Sequence, residues 1–108
     1  MELNNETNME AIAFELISNV GEARSLLMEA LMLAREENFD AADEKVKEAS
    51  KFLTNGHHSH FGLIQKEADG ENLQFSLILM HAEDQLMTTE TLKLVVEELI
   101  LTHKKYSK

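Results

Sequence analysis

His81 and Asp84 stand in the middle of the most apolar stretch of the chain, Leu77-Ile78-Leu79-Met80-His81-Ala82-Glu83-Asp84-Gln85-Leu86-Met87. Polar groups are costly to bury unless they are paired or have a task. On a helix, Asp84 follows His81 at i+3 and Gln85 follows it at i+4. An imidazole, a carboxylate and an amide can then share one side of an otherwise oily element. Two readings fit: a polar lock within a helix bundle, or a reactive histidine. An unperturbed imidazole titrates near ~6.5, so its neutral, nucleophilic form is available around neutral pH. A phosphoryl group on such a nitrogen is labile and transferable. Asp84, or an oxygen from a neighbouring chain, would keep one ring nitrogen protonated and direct the other outward.

A second cluster is His57, His58 and His60. His57 and His60 are one helical turn apart, and with a third ligand could hold zinc or nickel. No cysteine or matching downstream pair completes that set. Structural roles, including lining a bundle beside His81, are the simpler reading. His103 reads as a surface residue. Arg24 lies among apolar and small neighbours. It either pairs with a carboxylate or phosphoryl group or, more simply, solubilises the surface. The chain has no glycine-rich phosphate loop and no recognisable serine nucleophile setting.

The elements that position these groups read as helices. Among 108 residues there is no proline, only four glycines, and 44% hydrophobic residues, which favours long uninterrupted helices. This length makes one domain with one core. The absence of cysteine excludes disulfides, thiolate metal sites and cysteine catalysis. A net charge of -10 argues against a nucleic-acid partner and for basic protein partners or simple solubility. No segment approaches the roughly 18 apolar residues of a membrane span, so direct membrane insertion is not expected. Met1-Glu2-Leu3-Asn4-Asn5-Glu6-Thr7 lacks the basic start and apolar core of a signal peptide, so a cytoplasmic location is expected.

Three helices follow in order. The first is expected from about Met9 to Glu37, with Thr7 and Glu10 spaced as a capping box. Its apolar line runs through Ile12, Leu16, Val20, Ala23, Leu27, Ala30 and Ala34. Gly21 inside this pattern costs about 1 kcal/mol relative to alanine, which close backbone packing would explain. Asp40 is the expected N-cap of the second helix. That helix either stops at Thr54-Asn55-Gly56 or continues to about Glu67. The undisturbed spacing of Gly56, His60 and Leu63 favours continuation, with Asp69-Gly70 as the stop. The third helix is expected over roughly Asn72 to Lys105. Residues 1–8 and 106–108 would be short tails around a 9–105 helical domain.

On the third helix, Leu77, Met80, Asp84, Met87, Thr91, Leu94, Glu98 and Leu101 follow the steps of a heptad seam. A second apolar line, including Leu79, Leu86, Val96 and Leu99, lies on other faces. A helix apolar on two faces needs more than its own two neighbours to cover it. Short connections predict an all-α, antiparallel three-helix subunit whose spare seam is buried by self-association. Copies of Asp84 would then meet at a symmetry axis. They would share protons or bind a hard cation such as magnesium, or Asp84 would simply fix the register.

These residues resemble the IIA component of the lactose/cellobiose (also diacetylchitobiose) branch of the bacterial sugar phosphotransferase system. The resemblance covers about residues 9 to 105. It includes Val20-Gly21-Glu22-Ala23-Arg24-Ser25, Phe39-Asp40-Ala41-Ala42 and Leu63-Ile64-Gln65-Lys66-Glu67-Ala68-Asp69-Gly70. Its strongest element is His81-Ala82-Glu83-Asp84-Gln85-Leu86-Met87-Thr88, similar to the family pattern His-Ala-Gln-Asp-His-Leu-Met-Thr. The resemblance implies a homotrimer of three-helix subunits, nine helices in all. It implies that His81 takes a phosphoryl group from the phosphocarrier HPr and passes it to a cysteine of the IIB component. The membrane component IIC would take part only indirectly, in uptake of a disaccharide such as cellobiose or lactose. Asp84 matches the aspartate that meets its symmetry mates at the trimer axis and binds a metal, usually taken as Mg2+.

The chain departs from the family pattern at Glu83 and Gln85, where the family has glutamine and histidine. On the second helix the family run Ala-His-x-x-Gln-Thr is matched by Gly56-His57-His58-Ser59-His60-Phe61. Only His57 is kept. His57, His60 and Gln85 are the expected supports of the phosphoryl site, and His60 would offset the added charge of Glu83 as a hydrogen-bond donor. A second reading, motivated by these departures, is a trimeric regulatory or interaction module without phosphoryl transfer. A histidine phosphotransfer domain of two-component signalling ranks lower. Those typically carry a lysine and a glycine soon after the histidine, and Ala82-Glu83-Asp84-Gln85 supplies neither.

Overall fold

With no proline to break them, three long apolar-patterned runs become three helices of about 30 residues each. They are α1 (Asn5–Arg35), α2 (Phe39–Ala68) and α3 (Leu77–Tyr106). The computed structural model describes residues 5–74 and 76–107, and those contain no strand. A helix of 30 residues is about 45 Å long, so the molecule is a rod of 59 × 24 × 19 Å. Its radius of gyration, 16.9 Å, exceeds the about 13 Å of a spherical domain of this size. A rod this thin has little interior, and much apolar surface stays outside.

The interior is built on α1, which packs extensively against both other helices, while α2 and α3 meet more sparingly. Ala13, Ala23, Ala30 and Ala34 of α1 and Ala42 and Ala49 of α2 are fully buried and let the axes approach closely. Leu16, Val20, Leu27, Leu86 and Val96 fill the space between them. Each buried leucine or valine contributes about 1.5–3 kcal/mol relative to exposure. The continuation of α2 through Gly56 is borne out, and the packing explains it. A Cβ at Gly56 would lie 3.1 Å from Leu16 Cδ1 and 3.2 Å from Leu86 Cδ1. The glycine is where the three helices come closest, not a break.

Several boundaries differ from the sequence reading. The helix α1 already runs at Asn5, inside the expected tail, so Thr7 lies within it and is not its cap. The Thr7 side chain falls outside the described residues. Gly21 is exposed, and a Cβ there would meet nothing within 4 Å, so close packing does not account for it. The end of α1 is closed by Asn38 N–H to Leu33 O at 2.9 Å and Glu37 N–H to Ala34 O at 3.0 Å. This is a Schellman ending with Glu37 left-handed at φ 63. Because Asn38 completes that ending, α2 begins at once, and Asp40 lies in its first turn instead of capping it. Asp40 there still opposes the helix dipole.

Asp69-Gly70 ends α2 as expected, with Gly70 at φ 93 and Glu71 N–H bonded to Lys66 O at 3.1 Å. The helix α3 starts at Leu77, not near Asn72, because Ser76 is its cap. The Ser76 backbone is extended, and its Oγ accepts from Leu79 N–H at 3.1 Å.

Candidate functional site on the third helix

The helix α3 buries Leu79, Ala82, Leu86, Thr89, Val96 and Ile100 against α1 and α2. These belong to the second apolar line of the sequence, and Leu99 of that line is 38% exposed. The heptad seam faces the other way. Leu77 is 82% exposed, Met80 52%, Leu94 66% and Leu101 56%, and Asp84, Met87, Thr91 and Glu98 are exposed with them. One chain therefore presents an ordered apolar face along the whole length of α3 with a single acid, Asp84, in its N-terminal half.

His81 borders this face. Its side chain is exposed and makes no hydrogen bond or ion pair among the described residues. Two of the three α2 histidines are occupied. His57 Nε2 lies 2.5 Å from Glu90 Oε1. His60 Nδ1 is paired with Glu83 Oε2. These last two atoms are shielded from solvent, and neither has a hydrogen-bond partner among the described residues. The two pairs form rungs between antiparallel helices: moving along α2 from 57 to 60 moves back along α3 from 90 to 83. His58 is exposed. His103 is partly covered, not fully on the surface as expected.

The histidines thus do not gather beside His81. His60 and Glu83 lie on the α2 side of α3, whereas a 100° step per residue places His81 on the far flank. Among the described residues no group of three His, Asp or Glu side chains could hold a metal ion, so zinc or nickel at His57 and His60 is not supported. Asp84 has no side-chain hydrogen bond or ion pair to His81 or Gln85 among the described residues. The polar-lock reading within one subunit therefore fails.

Along the open α2–α3 seam runs a groove of about 350 Å³, lined by His60, Ile64, Leu73, Gln74, Met80, Glu83, Asp84 and Met87 among others. On the opposite, α1 side, Arg24 is half-buried and donates to Thr89 Oγ1 at 3.2 Å and Thr88 Oγ1 at 3.3 Å. Its partners are hydroxyls of α3, not the carboxylate or bare solvent expected of it. The sequence reading missed Thr89 and Glu90. The seven-residue spacings Ala82–Thr89–Val96 and Glu83–Glu90 were the available signals, since residues a heptad apart share a face.

The arrangement offers an unpaired imidazole on a rigid helix beside an uncovered apolar surface, while His57 and His60 are held by carboxylates on the other side of α3. Such an imidazole can accept and release a group when another protein docks on that surface.

Comparison with known proteins agrees with this picture. Residues 11–104 match the family model of the phosphotransferase system lactose/cellobiose-specific IIA subunit. The oligo-beta-mannoside-specific EIIA component of Bacillus subtilis is 43% identical over 100 residues, which cover 93% of this chain and 90% of that protein. The crystal structure of the cellobiose-specific enzyme IIA from Bacillus anthracis superposes with a TM-score of 0.87 at 40% identity, covering 97% of this chain and 93% of that one. The IIA(chitobiose) of Escherichia coli, solved in solution as a complex with HPr, gives a TM-score of 0.81 at 33% identity over 93% of this chain and 97% of its own. By this match along nearly its whole length, the chain belongs to the lactose/cellobiose-specific IIA family of the sugar phosphotransferase system.

Proposed function

We propose that the chain carries a phosphoryl group on His81, taking it from phospho-HPr and passing it to a cysteine of the IIB component during disaccharide uptake. The observation that carries this reading is the place of His81 at the edge of the uncovered face of α3, a place that the exposed His58 of α2 does not share. His57 and His60 are held by glutamates, whereas His81 stands free at the edge of an uncovered face. The related E. coli IIA(chitobiose) was solved bound to HPr, which supports the same donor here. A ring nitrogen of His81 attacks phosphorus with its lone pair. The P–N bond to the donor imidazole breaks as the new P–N bond forms, and the donor keeps the electron pair. Because the incoming group is already activated, the chain contributes position more than chemistry. Its acidic surface suits a basic docking face. The place of action is the cytoplasm, since the partners HPr and IIB act ahead of the membrane component IIC.

The α3 seam supports a homotrimer with Asp84 at its axis. Leu77, Met80, Met87, Leu94 and Leu101 are too exposed to serve their own subunit, and a threefold contact would bury them. One chain brings one carboxylate to the axis, so only three copies of Asp84 would make an oxygen set suited to Mg2+. When bound, the ion would neutralise carboxylates that otherwise repel one another.

The test is a relay. A radiolabelled phosphoryl group should move from phospho-HPr to this chain and then to IIB. Stable binding of HPr without uptake of label would favour the interaction-module reading instead.

A further inference from the structure

We propose that HPr seats on the outer flank where α1 lies beside α3, and that Gly21 is kept bare there as a docking contact that sets affinity for the phosphoryl donor. The inference rests on the carrier reading above. It adds which face receives the donor and which residue admits it.

Between Ala11 and Arg35 the carboxylates of α1 are Glu15, Glu22 and Glu29. They recur every seven residues and so share one face. Glu29 is paired with Lys45 at 3.1 Å, which turns that face toward α2. The opposite flank of α1 has another character. Phe14, Gly21, Ser25, Met28 and Met32 follow helical steps along it, all are exposed, and none carries a charge. Arg24 beside them binds Thr88 and Thr89, which turns this flank toward α3. The adjoining line of α3 is uncharged as well. His81, Gln85, Thr88, Leu92, Val95 and Leu99 follow one another at steps of four and three.

His81 therefore stands where two uncovered faces meet, the α3 seam and this α1–α3 flank. The seam suits contact between copies, which leaves the flank as the way to His81. In a chain of net charge -10, a lane without carboxylates lets an anionic phosphoryl group approach with the least repulsion. The glutamates beyond it make a polar rim around an apolar centre, the build of a transient protein interface. A donor with an apolar patch beside its phosphohistidine and basic residues around that patch fits this lane, and the E. coli relative was solved bound to HPr. Gly21 supports the same face independently. A Cβ there would meet nothing within 4 Å, so nothing within the subunit requires a glycine that costs about 1 kcal/mol in a helix. Leu16 and Val20 converge with Leu86 at Gly56, which sets Gly21 about two turns along from the level of His81. That separation lies within the ~800 Å² that each partner gives to an interface of ordinary size. A bare backbone inside such a footprint lets a partner come directly against the helix.

The test varies the concentration of phospho-HPr and reads initial phosphorylation rates of the full chain. Gly21→Gln fills the open space with an uncharged helix former. It should raise KM for phospho-HPr about tenfold and leave kcat within about twofold, as loss of docking without loss of chemistry requires. Met28→Glu puts a carboxylate into the lane and should raise KM by about as much. Phosphoramidate, a small phosphoryl donor that needs no docking face, should label His81 of both variants at the wild-type rate. The sedimentation mass of both should equal that of the wild type. An unchanged KM in either variant, equal slowing with phosphoramidate, or a changed sedimentation mass, which would assign the lane to contact between copies, would each overturn the proposal. A wild type that takes no label from phospho-HPr would instead overturn the carrier reading beneath it.

Discussion

Arg24 on α1 donates to the Oγ1 of Thr89 on α3 at 3.2 Å, tying the helix of His81 to the one that organises the core. Thr89 is the one fully buried polar side chain among the described residues, so its hydroxyl has no water to turn to. Thr89→Val keeps the shape and removes the acceptor. It should destabilise the fold by about 1 kcal/mol, with Thr89→Ser recovering most of the loss. Urea unfolding at one fixed protein concentration measures this, because oligomerisation makes apparent stability concentration-dependent. An unchanged midpoint for Thr89→Val would show that the bond contributes nothing.

Two glycines of similar helical setting should respond oppositely to alanine. Gly21→Ala enters open space and should stabilise by about 0.5–1 kcal/mol. At Gly56 the new methyl meets Leu16 and Leu86 at 3.1 and 3.2 Å. Both leucines are fully buried and have little room to give. Overpacking of about 1–3 kcal/mol should outweigh the gain in propensity. Thermal melts of the two variants side by side decide it.

Leu94 is 66% exposed and takes no part in the core of its own subunit. Leu94→Lys should leave the helical circular dichroism intact while lowering the sedimentation mass from that of the proposed trimer to that of a monomer. Loss of helix in step with loss of mass would mean that the subunit does not fold without its neighbours. An unaltered mass would place the interface elsewhere.

In the proposed trimer, Asp84→Leu would replace clustered carboxylates with an apolar seam. Such replacements are often neutral or stabilising by about 1–4 kcal/mol. The variant should melt at or above the wild-type temperature and lose any response of the melt to added Mg2+. A large fall in melting temperature would contradict an axial position for Asp84.

The sequence made the core and the spare seam legible for the same reason. Helical periodicity records every apolar face, whether it is covered by the chain or by another copy. It could not say which line of α3 turns inward. That choice depends on Gly56 admitting Leu86 between the helices, a contact between residues 30 positions apart. Local cap signals misled at Thr7 and Asp40, where continued helix on one side and the Schellman ending at Glu37 and Asn38 on the other overrode them. His81 was legible because a histidine is out of place in an oily run. The partners of His57, His60 and Arg24 were not, because they depend on how α2 and α1 rotate against α3.

The most direct test of the carrier reading is the intact mass of the wild type and of His81→Ala after incubation with phosphoenolpyruvate, Enzyme I and HPr. The His81 side chain is exposed and borders the core without filling it, so its removal should change stability by no more than about 0.5 kcal/mol. A gain of one phosphoryl group per chain in the wild type, and none in a folded His81→Ala, is the predicted result. A phosphorylated His81→Ala, or a wild type that takes no phosphoryl group, would contradict it.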